Sequence, residues 1–166
     1  MVRFIGRVLP LLLVGVLCGA LPAQAAESAK GPEWVKKCGK VADGKEVCVV
    51  RQFVMDEQQH RPLLLAQFGY TGPKDKPRLI MSVPLGVLLT TGISISIDKK
   101  KPLTAPFEVC TPEGCLSFID MDEPALEHFL KGKVMTVRFM AAPGRPLELP
   151  VHLQGLAAAL KGTKTE

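Results

Sequence analysis

"RLIMSVPLGVLLTTGISISID", residues 78–98, carries 19 consecutive uncharged positions between its two end residues. Whether this run crosses a membrane or fills the interior of a folded domain decides what kind of protein the chain makes. Only 11 of the 19 are apolar once Gly, Pro, Ser and Thr are set aside. Pro84 would remove a helix hydrogen bond and clash with the preceding turn. Gly86 and Gly92 add further breaks. "ISISI" alternates strictly, so Ile93, Ile95 and Ile97 fall on one face of a strand and Ser94 and Ser96 on the other. A helix would scatter them. The run therefore predicts two or three strands, mostly buried, with turns near Pro84 and Gly92. A lone outer-membrane barrel does not fit either, because such barrels carry aromatic girdles and aromatics make up 5% of this chain.

The same kind of segment recurs along the chain. "WVKKCGKV", "EVCVVRQFVM", "PLLLAQFG", "RLIMSVP", "GVLLTTG", "ISISID", "FEVC", "CLSFI" and "KVMTVRFM" are short runs separated by Gly, Pro and Asp. That spacing predicts an all-β sandwich or barrel. Two short helices are expected beside it. Asp122 and Glu123 precede Pro124, and "ALEHFLK" runs to Gly132, the punctuation of a helix start and stop. Leu153, Leu156, Ala157 and Leu160 follow helical spacing, weakened by Gly155.

The N-terminus reads as an export signal. "MVRFIGRVLPLLLVGVLCGALPAQA" has basic Arg3 and Arg7, an apolar stretch over 8–17, and small residues Ala23 and Ala25 at the cleavage positions. The apolar stretch is shorter than the roughly 20 residues of a membrane-spanning helix. Cleavage is expected after Ala25, with Ala26 as the near alternative. Cys18 follows Leu17 rather than a small residue, so it is assigned to the discarded segment and not to a lipid anchor. Residues 26–32, "AESAKGP", read as a flexible leader, and 33–166 as one domain. Removing 25 of 166 residues leaves 141, enough for one domain with a real core. Losing Arg3 and Arg7 takes the formal charge from +5 to +3. That mild excess gives no warrant for nucleic-acid binding. The chain is expected in the periplasm or outside the cell, without a transmembrane segment once processed.

Export leaves four cysteines, Cys38, Cys48, Cys110 and Cys115, for an oxidising compartment. Of three connectivities, turn chemistry favours one. A three-residue loop at Ala42, Asp43 and Gly44, with Gly left-handed, sets Cys38 opposite Cys48 at a non-hydrogen-bonded position. In "FEVCTPEGCLSF", Pro112 and Gly114 suit a tight turn that sets Cys110 opposite Cys115. The same register places Val109 opposite Leu116 and Phe107 opposite Phe118, all four on one face. Glu108 and Ser117 fall on the other face with the cysteines. A redox or zinc role fits less well, since the gaps are nine and four residues and no His lies near.

No catalytic pattern emerges. No Ser lies in G-x-S-x-G, and His60, His128 and His152 follow no metal-ligand spacing. Asp120, Asp122 and Glu123 form the densest acidic cluster. Carboxylates there suit a hard cation, but they suit a helix N-terminus better. Lys99, Lys100 and Lys101 in "DKKKP" form a basic tip after the alternating strand. They are the candidate contacts for anionic lipid, polysaccharide or an acidic partner, against the plainer role of guarding a strand end. Trp34, the single Trp, is expected to pack over the nearby disulfide. No cofactor and no metal are expected.

Several motifs together resemble the invasion-associated locus B family of exported bacterial proteins. They are "WVKKC", "EVCVV", "VPLGVLLTTGISISID", "PFEVCTPEGC", "LKGKVMTVRF" and "LELPVHLQGLAAALKG", spanning about 34–162. The resemblance implies an immunoglobulin-like β-sandwich with two short peripheral helices. It also implies an association with host-cell entry, and it brings no catalytic residues with it. The expectation is a non-enzymatic Gram-negative envelope protein that binds an envelope or host-surface protein. The alternatives are an envelope enzyme or thiol protein whose site assembles only in three dimensions, and a cation-binding module at Asp120, Asp122 and Glu123.

Overall fold

The computed structural model describes residues 33–41, 44–141 and 144–164. The expected signal segment, its cleavage site and the leader lie outside the described residues. Among the described residues, ten strands form two antiparallel sheets. The larger contains β1 (Val35–Lys40), β2 (Glu46–Asp56), β3 (Arg61–Gly69), β4 (Arg78–Val83), β7 (Val109–Thr111) and β8 (Gly114–Asp120), in the order β1-β2-β3-β4-β8-β7. The smaller contains β5 (Ile93–Ile97), β6 (Leu103–Ala105), β9 (Val134–Ala141) and β10 (Arg145–His152), in the order β10-β9-β5-β6. Two helices, α1 (Glu123–Lys131) and α2 (Leu156–Ala159), complete the fold. This is the expected all-β sandwich of immunoglobulin-like type.

Alternation builds the core. Ile93, Ile95 and Ile97 point inward from β5, next to Phe139, Val137 and Met135 of β9, and all six are buried. Phe68, Leu79, Met81 and Val50 answer from the larger sheet. The rings of Trp34, Phe68 and Phe129 meet edge to face, with centroids 5.5 and 5.4 Å apart, joining β1, β3 and α1. A polar side chain, Gln52, lies inside this layer. The Gln52 amide donates to the His152 carbonyl and accepts from the His152 N–H, both at 3.1 Å. Trp34 Nε1 donates to the same carbonyl at 2.9 Å. These bonds tie β2 and the start of β1 to the end of β10 across the sandwich. Leaving such a buried amide unpaired costs about 1–3 kcal/mol.

The quoted run divides as its pattern requires at both ends, but not in its middle. β4 and β5 are buried strands. Between them, 84–92 is a loop with a single 3-10 turn (Leu89–Thr91), and Leu85, Leu88 and Leu89 are exposed. Their exposure corrects the expected strand "GVLLTTG" and the expected burial of this stretch. The backbone bonds of a tight crossover between sheets take precedence over side-chain burial there. Only Val87 pairs, with Ala141, while Leu88 donates to the Met140 carbonyl. β6 and β10 were not foreseen. β6 is only three residues long. β10 carries Pro146 and Pro150, which a sheet accepts on an edge strand.

α1 forms as its punctuation predicts: Asp122 caps it, accepting from the Ala125 N–H at 2.9 Å, and Gly132 ends it. α2 is a single turn after left-handed Gly155.

Candidate functional site

The two expected disulfides are present, Cys38–Cys48 and Cys110–Cys115. Each joins an edge strand of the larger sheet to its one neighbour, β1 to β2 and β7 to β8. The first hairpin closes as predicted: Val41 donates to the Lys45 carbonyl, and Gly44 is left-handed at φ +83°. Trp34 finds its partners in Phe68 and His152.

The second hairpin departs from expectation in one respect. Val109 faces Leu116 and Cys110 faces Cys115, but the ladder ends there. The Glu108 N–H bonds the Leu116 carbonyl, one residue out of step. Phe107 therefore leaves the register, does not face Phe118, and packs against the core. Cys115 and Ser117 are the buried side of β8, while Val109 is 45% exposed on the opposite face. The apolar side of this hairpin points outward.

That side belongs to a larger surface. Strand pairing lines up Phe53, Leu65, Ser82, Leu116 and Val109 across five strands on the outer face of the larger sheet. The next row runs through Val35, Arg51, Gln67, Ile80 and Phe118. Phe53 and Met55 are 39% and 46% exposed. The guanidinium of Arg51 lies 5.4 Å from the Phe53 ring centroid, and that of Arg78 lies 5.3 Å from Phe118. The smaller sheet behaves in the opposite way. Its outer face pairs Ser94 with Thr104 and Arg138, and Ser96 with Thr136. An antiparallel sheet with one solvated face normally alternates apolar-in and polar-out. The smaller sheet obeys, while the larger one also carries apolar side chains on its outer face, with Ser82, Arg51 and Gln67 between them. Sequence inspection missed the distinction because the runs in "EVCVVRQFVM" and "PLLLAQF" do not say which side has a cover.

The titratable candidates are occupied by structural duties. Asp120 pairs with Arg78 through two hydrogen bonds across β4 and β8, and Arg78 holds its carboxyl below the ordinary range. Asp122 is the helix cap. The acidic triad is thus divided between an ion pair and a helix start. Asp98 accepts from the N–H groups of Lys133 and Val134 at 3.0–3.2 Å. Those bonds, Val134 first, lower its carboxyl below the usual value. His60 lies in the turn between β2 and β3, at the far end of the sandwich from His128 on α1 and His152 at the end of β10. The Ser117 hydroxyl is sealed in the core, where no substrate reaches it. Lys99, Lys100 and Lys101 are exposed in the loop between β5 and β6.

Asp98 and Asp120 set a pH dependence. Both folded-state values lie below the unfolded carboxylate value of about 3.9, so both groups stabilise the fold above that pH. Their contribution is lost as pH falls through the folded values. Asp98→Ala is expected to lower the melting temperature at pH 7 and to differ little from wild type near pH 2. A gap that stays constant from pH 7 to pH 2 would contradict this assignment.

The sequence pattern described as "Invasion associated locus B (IalB) protein" matches residues 34–164. Two "Invasion protein B homolog" chains of Brucella abortus, from strain 2308 and from biovar 1 strain 9-941, are each 29% identical over 130 residues. Each alignment spans 77% of this chain and 73% of the relative. The crystal structure of invasion associated protein B from Bartonella henselae superposes with a TM-score of 0.66 at 23% identity, covering 77% of this chain and 88% of that one. The match over residues 34–164, most of the length, places the chain in the invasion associated locus B family, and the shared fold agrees.

Proposed function

We propose that the chain is an exported, non-enzymatic envelope protein that works by docking a protein partner on the outer face of its larger sheet. In a host-associated bacterium that docking serves host-cell interaction. The observation that carries the reading is the contrast between the sheets: one outer face is polar, while the other holds Phe53, Leu65, Leu116 and Val109 in a row. Contiguous exposed apolar surface of this kind marks interaction sites. Arginine and aromatic side chains together are the composition of interface hot spots. Charge defines the partner's chemistry. Arg78 and Asp120 neutralise each other, while Arg51, over Phe53, keeps its positive charge, so the complementary surface is apolar with a negative group for Arg51. The invasion names of the relatives support the host-directed setting, and the disulfides support an oxidising compartment.

The test is a photocrosslinking residue at position 109 in intact cells, with and without Phe53→Glu. A discrete adduct is expected from the wild-type face. Phe53→Glu should weaken it at least tenfold, the scale of losing one hot-spot contact, with the melting temperature nearly unchanged. Equal adducts from both chains would refute docking on this face. Unaltered host-cell entry by a deletion strain would remove the host-directed part alone.

A further inference from the structure

All thirteen lysines among the described residues are exposed and lie toward one end of the sandwich. Strand pairing defines that end. Lys40 ends β1 at its turn into β2 and Lys45 follows that turn, while Lys36 and Lys37 lie further back on β1, opposite Val50 and Val49. Lys74 and Lys76 sit in the connection from β3 to β4, and Lys99, Lys100 and Lys101 in that from β5 to β6. Lys131 and Lys133 lie where α1 leads into β9. Lys161 and Lys164 follow α2; Lys164 sits over Tyr70, just beyond β3, at 5.3 Å. Five separate stretches of chain thus bring lysine to one place. No lysine among the described residues sits in the opposite turns, where Arg61 and Arg145 are accompanied by Asp56, Glu57 and Glu113.

We propose that this lysine end adsorbs to an anionic lipid surface. The carboxylates interspersed there do not cancel it. Lys45 and Lys131 are offset by Asp75 and Glu127, and Arg78 by Asp120, but the eleven remaining lysines outnumber the other described carboxylates of this end, Glu33, Glu46, Asp98, Asp122 and Glu123. The use of lysine rather than arginine fits a diffuse layer of headgroup phosphates. An ammonium is a hydrated point charge on a flexible stem, and it lacks the rigid fork that reads one bidentate site. Spreading the charges over several loops suits a broad surface better than a single bound anion. The exposed apolar cluster lies elsewhere: Leu85, Leu88 and Leu89 project from the loop at the opposite end, while Val41 and Leu103 are single exposed apolar side chains toward the lysines. Adsorption is therefore electrostatic and points that loop away from the bilayer. Lys99, Lys100 and Lys101 are one part of this surface, not a site by themselves.

The test uses protein recovered from the envelope, with vesicles of phosphatidylcholine alone or with phosphatidylglycerol added. Binding is expected only to the anionic vesicles, and raising salt from 0.05 to 0.5 M should release it as screening shortens. A juxtamembrane lysine contributes about fivefold in partitioning. Lys99→Gln with Lys100→Gln should therefore weaken binding by roughly 25-fold. Arg61→Gln with Arg145→Gln removes the same charge from the other end and should leave binding within about twofold. Equal losses from the two pairs would show that net charge alone acts, and would overturn the proposal. So would salt-resistant binding to neutral vesicles, or binding to dextran sulfate without binding to anionic vesicles. None of these outcomes depends on the protein partner proposed for the sheet face.

Discussion

Removing both disulfides, by Cys38→Ala with Cys48→Ala and Cys110→Ala with Cys115→Ala, is expected to lower stability by about 5 kcal/mol. The loops closed are short, with sequence separations of 10 and 5. Each bridge then contributes roughly 2–3 kcal/mol by restricting the unfolded chain. The total is a large share of the 5–15 kcal/mol typical of a single domain. Position adds a local reason. β1 and β7 are the two edge strands of the larger sheet, and each has one ladder to hold it. β1 is exposed along its whole length, so the bridge replaces the burial that it lacks. The bridges lie on opposite edges, and distant sites add. Urea denaturation of the two double variants and of the quadruple variant measures this. A quadruple loss below about 2 kcal/mol would refute the assigned role. Hydrogen exchange should speed up first in β1 when only Cys38 and Cys48 are replaced.

Gly92→Ala is expected to cost about 3–5 kcal/mol, or to prevent folding. Gly92 ends the exposed leucine loop with φ +63° and ψ −161°, a region that side chains other than glycine's essentially never occupy. A Cβ there would also lie within contact distance of the Ala105 carbonyl, whose backbone cannot yield without breaking the pairing of β5 with β6. Gly86, in the same loop, is the control. Its φ is +92°, but nothing lies within 4 Å of its Cβ position. Gly86→Ala should therefore show only the backbone strain, about 1–2 kcal/mol. Thermal melts of the two variants distinguish clash from strain, and equal losses would remove the clash from the explanation.

The pattern of success along the chain has a physical basis. Period-2 alternation is local, so β5 and its buried isoleucines were legible. Turn residues act over a few positions, so the hairpins, both disulfides and the capped start of α1 were legible too. β10 was hidden because Pro146 and Pro150 argue against a strand until its place at a sheet edge is known. The leucines of 84–92 look like core because apolar composition carries no information about connection geometry. Phe107 left its expected register through a one-residue irregularity that no spacing rule reports. The acidic cluster was correctly inclined toward a helix start, but the commitment of Asp120 to Arg78 depends on β4 lying beside β8, 42 residues apart in sequence.

The sequence by itself determined most of the elements, the covalent pairing and the family, since these rest on neighbours within a few residues or across one hairpin. Only the tertiary structure decided which apolar residues have a cover. Val109, Leu116 and Phe53 are as hydrophobic as the isoleucines of β5, and they lie outside because no layer among the described residues packs on that side of the larger sheet. It also decided that lysines from five stretches of chain share one end, because a field is a sum over positions in space and not over positions in sequence.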